Sequence, residues 1–146
     1  MDRFPGANGL HFERLGPGRY RTTCDHHVQT GIYRADPAMD QQAGIKLHMD
    51  GWLEIRAGYV WDGPSGPSIH SQCFMRGSLY HDALYDLMRS GRLPQEYRKR
   101  ADQLLSETCK QDGMTGIRAA WVYAGVRTFG GYYAGQEPQA ASRRER

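Results

Sequence analysis

The feature that most constrains the fold is a change of period near the middle of the chain. Before residue 61, apolar and polar residues alternate in several short segments; residues 61–68 hold two prolines and two glycines; beyond them apolar residues recur every three and four positions. Alternation suits strands with one face on a core, the longer period suits helices, and the segment between can be neither. The chain therefore reads as α+β: a small N-terminal antiparallel β-sheet followed by a three-helix C-terminal half.

Within the first half, residues 10–15 and 19–24 flank a Gly-Pro-Gly turn and form a hairpin. Residues 36–44 read as a loop. Residues 44–49 and 52–60 alternate on either side of Asp50-Gly51, a two-residue hairpin turn. In the second of these segments Leu53, Ile55, Ala57 and Tyr59 share one face, and Trp52, Glu54 and Arg56 the other. One solvated face is expected.

The first helix is placed at 76–89, with Tyr80, Ala83, Leu84, Leu87 and Met88 as its apolar stripe, Ser78 near its start and Gly91 after its end. The second opens at Pro94 and Glu96 and buries Tyr97, Ala101, Leu104, Leu105 and Thr108, with Gly113 as its stop. The third runs from a Thr115 cap to about residue 129, closed by Gly130-Gly131. It is apolar almost all round, which predicts a buried, central helix. Residues 1–134 form one domain, and 135–146 a disordered basic tail.

Composition excludes several classes. With 146 residues, 39% hydrophobic and 24% charged, the chain can bury one proper core. No run approaches the ~18 apolar residues that cross a bilayer, and the first residues lack a signal-peptide stretch, so a cytoplasmic location is expected. The net charge is +3, of which the last five residues supply +2. A body so nearly neutral makes a nucleic-acid partner unexpected, although Arg98, Lys99 and Arg100 are adjacent. Cys24, Cys73 and Cys109 are odd in number and contain no CxxC pair, which predicts free thiols.

His81-Asp82 carries the strongest chemical signal. His81 and Tyr85 share one helical face, Asp82 and Asp86 the next, and both pairs lie beside the apolar stripe. A histidine exchanges protons near neutral pH, and a second carboxylate can orient it. Asp102 can supply that carboxylate, because helices one and two are joined by a short link and should pack antiparallel. The loop with Asp62, Gly63, Ser65 and Gly66 can present backbone groups to an ion or oxyanion. Arg127 interrupts an apolar helix and needs a carboxylate such as Asp62 or Asp102. Asp25-His26-His27 invites a metal reading, but neighbouring strand residues point to opposite faces. Structural readings stand beside each: a polar helix edge, a dipole-complementing Asp102, an Asp62 turn, a buried ion pair.

These residues form a spaced pattern: Ala57-Gly58-Tyr-Val-Trp-Asp62-Gly63-x-Ser65-x-Pro67, then Leu79-Tyr-His81-Asp82-Ala-Leu-Tyr85, Arg100-Ala-Asp102, Gly113, and Val126-Arg127-x-Phe129-Gly130. It resembles a family of small phage and prophage proteins catalogued as domain of unknown function 1353, over roughly residues 44–130. The resemblance implies phage or prophage origin, an infected host cell or the virion as location, and a site at Asp62, Ser65, Pro67, His81, Asp82, Tyr85, Asp102 and Arg127, with Gly58 inside the motif. A looser resemblance joins His81-Asp82-Ala-Leu-Tyr85 to the His-Asp-x-Cys-Tyr helix of the secreted phospholipases A2. It implies His81 as the base on water, Asp102 as its orienting group, and Asp82 with the Asp62 loop holding calcium. The chain departs from that family at Leu84, in lacking its disulfides, and in its loop. Two functions are expected from these readings. One is a phage accessory protein with a hydrolase-like site, acting on an unknown substrate with Asp62 and Asp82 as ligands of calcium or magnesium. The other is a virion, tail or host-protein-binding module in which the same residues form a buried polar network.

Overall fold

The computed structural model describes residues 10–63 and 72–135, the side chains of 131–135 excepted. The N-terminal half holds two antiparallel sheets. β1 (Phe12–Gly16) and β2 (Arg19–Thr22) form the expected hairpin, with a bulge between Arg14 and Gly16. β3 (His26–Gln29), β4 (Ala38–Asp40), β5 (Ile45–Leu47) and β6 (Trp52–Ile55) make a sheet in the order β3-β6-β5-β4. β7 (Val60–Trp61) leaves that sheet and joins β2, Tyr20 opposite Trp61. The C-terminal half is α1 (Gln72–Arg89), α2 (Arg98–Gln111) and α3 (Gly116–Gly135), so the molecule is α+β.

Several local expectations need correction. Residues 36–44 contain β4, because Ala38 packs inward and its strand completes the ladder beside β5. One sheet becomes two, because the chain turns between β6 and β7. The turn after β5 is longer than two residues: the His48 N–H bonds the Trp52 carbonyl, and Gly51 bonds back to His48. α1 begins four residues early, so Ser78 is no cap; buried inside the helix, its Oγ bonds the Met75 carbonyl and receives the Trp61 indole N–H. Pro94 precedes a single 3₁₀ turn (Gln95–Tyr97) rather than α2 itself. Gly130-Gly131 does not close α3.

The largest correction concerns which helix is central. α1 is: Leu79, Tyr80, Ala83, Leu84 and Leu87 pack against Ile45, Leu47, Leu53 and Ile55 of the sheet. Its start meets a second cluster, where Phe74 lies with Leu105, Cys109, Met114 and Ala119. α3 covers only the outer side of α1 and α2. It buries Ala119 and Gly130, and leaves Ile117 and Trp121 each 75% exposed and Phe129 69% exposed. Its all-round apolar composition does not produce all-round burial, since the sheet and α2 already occupy the places beside α1. Arg76 ties α1 to the end of α2 through two bonds to Asp112, of 2.9 and 2.8 Å.

Candidate functional site

The site is assembled around Asp102, whose side chain has no solvent exposure. A buried carboxylate requires donors on both oxygens. His81 Nε2 lies 2.7 Å from Oδ1, and the Tyr85 hydroxyl donates to the same oxygen at 2.6 Å. Arg127 donates to Oδ2 at 2.9 Å, and Arg98 stands 3.5 Å from it. Burial alone would raise the Asp102 pKa, but the bonds from His81 and Tyr85 outweigh it and hold the carboxyl below its usual range.

The geometry follows from helical spacing. His81 and Tyr85, four apart on α1, present a tilted pair of rings 4.1 Å apart to the same carboxylate on α2. α3 must pass close for Arg127 to reach. At Gly130 an added Cβ would lie 2.3 Å from the Tyr85 hydroxyl oxygen, so only glycine lets the third helix cross here. Arg98 clamps the same crossing by donating to the Val126 carbonyl at 3.2 Å.

Because an ionised carboxylate only accepts, Asp102 fixes the imidazole as the Nε2–H tautomer. Nδ1 then carries the lone pair on the other side, 4.0 Å from Asp82 Oδ1. His81 and Asp82 both line a cavity of about 800 Å3 between α1 and α3. Its α1 bank is mostly polar, with Ser78, His81, Asp82, Tyr85 and Arg89 beside one phenylalanine, Phe74. Its α3 bank is mostly apolar, with Trp121, Val122, Val126 and Phe129 beside one cation, Arg118. Asp62 and Gly63 lie at its edge. The volume matches sites for small organic ligands.

Asp82 differs from Asp102 in kind. Its side chain is 30% exposed. Burial in the cavity wall lifts its pKa to about 7 and the charge of Asp62 adds to the rise, while Arg89 and a backbone hydrogen bond from Asp62 offset only part of it. Asp86, on the same helical face, is occupied by the Tyr59 hydroxyl and by Arg89.

Comparison of the chain with protein-family models, with curated proteins and with solved structures finds no match. The site is therefore read from its own geometry.

Of the residues singled out from sequence, His81, Tyr85, Asp102 and Arg127 meet in one hydrogen-bonded group, and Asp62, Gly63 and Asp82 lie around the cavity. Arg127 takes Asp102 as its partner. Ser65, Gly66 and Pro67 fall outside the described residues. Gly58 does not line the cavity; it turns the chain between β6 and β7, with a φ of 96° and its N–H on the Thr22 carbonyl. His26 and His27 do point to different surroundings: His26 is buried near the His11 carbonyl, and His27 stands 3.8 Å from Glu54. Among the described residues, no three His, Cys, Asp or Glu side chains converge as a metal centre. Arg98 and Arg100 are turned inward, Arg100 onto the Thr30 carbonyl and Glu107, rather than gathered into a basic face. The residues missed from sequence are Arg98 and Arg89. The four-residue spacing of Arg98 and Asp102 and the three-residue spacing of Asp86 and Arg89 were usable signals.

Proposed function

We propose that the chain is a phage- or prophage-encoded accessory protein that hydrolyses a small ester or phosphoester in the α1–α3 cavity. The observation that carries this reading is the His81–Asp102 contact, which leaves Nδ1 of a tautomer-fixed imidazole on the side of Asp82, both residues lining the cavity. In the reaction, Nδ1 removes a proton from water as the water oxygen bonds the carbonyl or phosphoryl centre. The bond to the leaving oxygen breaks, and that oxygen takes the proton of Asp82, which is held in part at neutral pH by the raised pKa. Asp102 positions His81 and offsets the charge that the imidazole gains. The motif resemblance supplies the phage origin; the hydrolytic chemistry rests on the residues.

In a metal-loaded protein Asp62 and an ionised Asp82 would instead be the oxygen donors that hold a calcium or magnesium ion, which would polarise the scissile group, and the proton for the leaving oxygen would then come from the His81 imidazolium. Two carboxylates are few for calcium but suit magnesium, which keeps several waters. Among the described residues no helix is long and apolar enough to cross a membrane.

The test uses p-nitrophenyl esters and bis-p-nitrophenyl phosphate, with EDTA, calcium and magnesium as separate arms. Wild type should turn over at least one of them. His81→Ala should lower kcat/KM at least 100-fold, the usual contribution of a positioned base, while still unfolding in one cooperative transition, because Tyr85, Arg127 and Arg98 remain on Asp102. Equal rates in His81→Ala and wild type would remove the hydrolase reading.

The second reading is a non-enzymatic virion, tail or host-binding module. The exposure of Ile117, Trp121 and Phe129 favours it. In that case His81→Ala changes no rate, and the Asp102 group serves only to lock three helices together.

A further inference from the structure

We infer that α3 pairs antiparallel with α3 of a second copy of the chain. The starting point is the exposed stripe on its outer side. Ile117, Trp121, Ala124 and Thr128 follow one another at intervals of four, three and four, the spacing of a helix–helix seam. Ile117 and Trp121 are each three-quarters exposed, and Ala124 and Thr128 are exposed as well. Phe129 flanks the seam on the cavity side.

The stripe is graded: its bulky residues lie toward the N-terminal end and its small ones toward the C-terminal end. A parallel pair would set Trp121 against Trp121 and leave a gap at Ala124. An antiparallel pair sets Trp121 on Ala124 of the other copy and Ile117 on its Thr128, so large meets small twice by one two-fold axis. The axis passes near residues 122 and 123.

Charge selects the same occupant. From 116 to 130 the only charged residues are Arg118 and Arg127, and Arg127 is spent on Asp102. The stripe offers no acid to a basic partner and a single cation to an acidic one. A second copy needs neither. In the antiparallel arrangement the two Arg118 residues lie nine residues apart along the axis, on the order of 13 Å, beyond the Debye length of about 10 Å at 0.1 M salt.

The area sets the strength. Taking 150–250 Å2 for a whole aromatic side chain, the exposed parts of Ile117 and Trp121 come to roughly 300 Å2 per copy, about 600 Å2 for two, to which Ala120, Ala124 and Thr128 add. That makes the pair a small interface, below the about 1,200 Å2 of standard ones, so the dimer forms only at micromolar concentrations or above. Trp121 borders the cavity as well as the seam, so the second copy extends the cavity's outer wall. The inference does not depend on which reaction, if any, the cavity performs.

Sedimentation equilibrium of the full chain between 1 and 100 µM tests it. Wild type should reach twice the monomer mass, and Ile117→Asp/Trp121→Asp should remain at monomer mass with an unchanged far-UV spectrum. A single cysteine tests the direction. Ala124→Cys lies beside the axis and should form a disulfide-linked dimer under mild oxidation beyond the wild-type background. Ile117→Cys should not, because the two copies of residue 117 are about 16 Å apart along the axis, far outside disulfide reach. A wild type that stays monomeric at 100 µM overturns the pairing and leaves the stripe to another partner. A double aspartate variant that still dimerises overturns α3 as the seam. Cross-linking through residue 117 rather than 124 overturns the antiparallel direction.

Discussion

The two carboxylates beside His81 meet opposite fates. Asp102 is the more deeply buried, yet it is held as an anion; Asp82 is partly exposed, yet its pKa rises to about 7. Burial pushes both pKa values up; what separates the two is the count of donors that oppose it. Asp102 receives His81, Tyr85 and Arg127 with Arg98 close behind, while Asp82 has one backbone N–H, the partial pull of Arg89 and the opposing charge of Asp62. One imidazole thus has a permanent anion on one side and a group that exchanges protons near neutrality on the other.

The hardest way to break this contrast is Asp102→Ala. It strands Arg127, Arg98, His81 and Tyr85 around a hole at a three-helix crossing. Stability should fall by about 3–5 kcal/mol, the usual cost of removing one partner from a buried charged group, read from urea denaturation at pH 7. A loss below about 1 kcal/mol would mean that water replaces the carboxylate and that the group is not a lock.

Asp82→Asn acts with the opposite sign. The folded pKa of Asp82 lies above its ordinary value of 3.8, so the folded state keeps a proton that the unfolded chain releases. Wild-type stability should decline as pH rises from about 4 to about 7, then level off. Asp82→Asn should remove that decline and be the more stable protein at pH 8, by about 2 kcal/mol once solvent at the open side of Asp82 is allowed for. Asp102, with its depressed pKa, contributes stability above pH 4 that disappears only as pH falls below the ordinary carboxylate range. Melting curves of both proteins from pH 4 to 9 separate the two contributions. Parallel curves would show that Asp82 is solvated like any surface aspartate.

Much of this arrangement was legible in the sequence because helical spacing is local. His81 with Tyr85, and the approach of Asp102 across a short link, need only a period and an antiparallel pair. The β1–β2 hairpin was legible from its Gly-Pro-Gly turn. The burial of α3 was not, because composition states what a helix tolerates and not what lies beside it. α1 looked amphipathic, yet its polar residues Arg76, Ser78 and His81 are buried because each finds a partner: Asp112, Trp61 and Asp102. Those partners lie 17 to 36 residues away, beyond any window of periodicity. The departure of β7 to the other sheet was hidden for the same reason, since Tyr20 and Trp61 meet only in three dimensions.

The smallest change gives the finest test of whether the two sides of His81 are separate. Tyr85→Phe removes one hydroxyl from Asp102 and leaves His81, Arg127 and Arg98 in place. A hydrogen bond to a charged group is worth about 1.5–3 kcal/mol, and the lower figure applies here because three donors remain. With fewer donors the Asp102 pKa should move up toward its ordinary value, so the acid-side loss of stability should be smaller and should level off at a higher pH than in wild type. The decline between pH 4 and 7 that belongs to Asp82 should keep its midpoint, because the Tyr85 hydroxyl bonds Asp102 and not Asp82. If Tyr85→Phe moved that midpoint as well, the carboxylates would titrate as one coupled system through the imidazole, and the division of labour between an orienting anion and an exchanging acid would have to be abandoned.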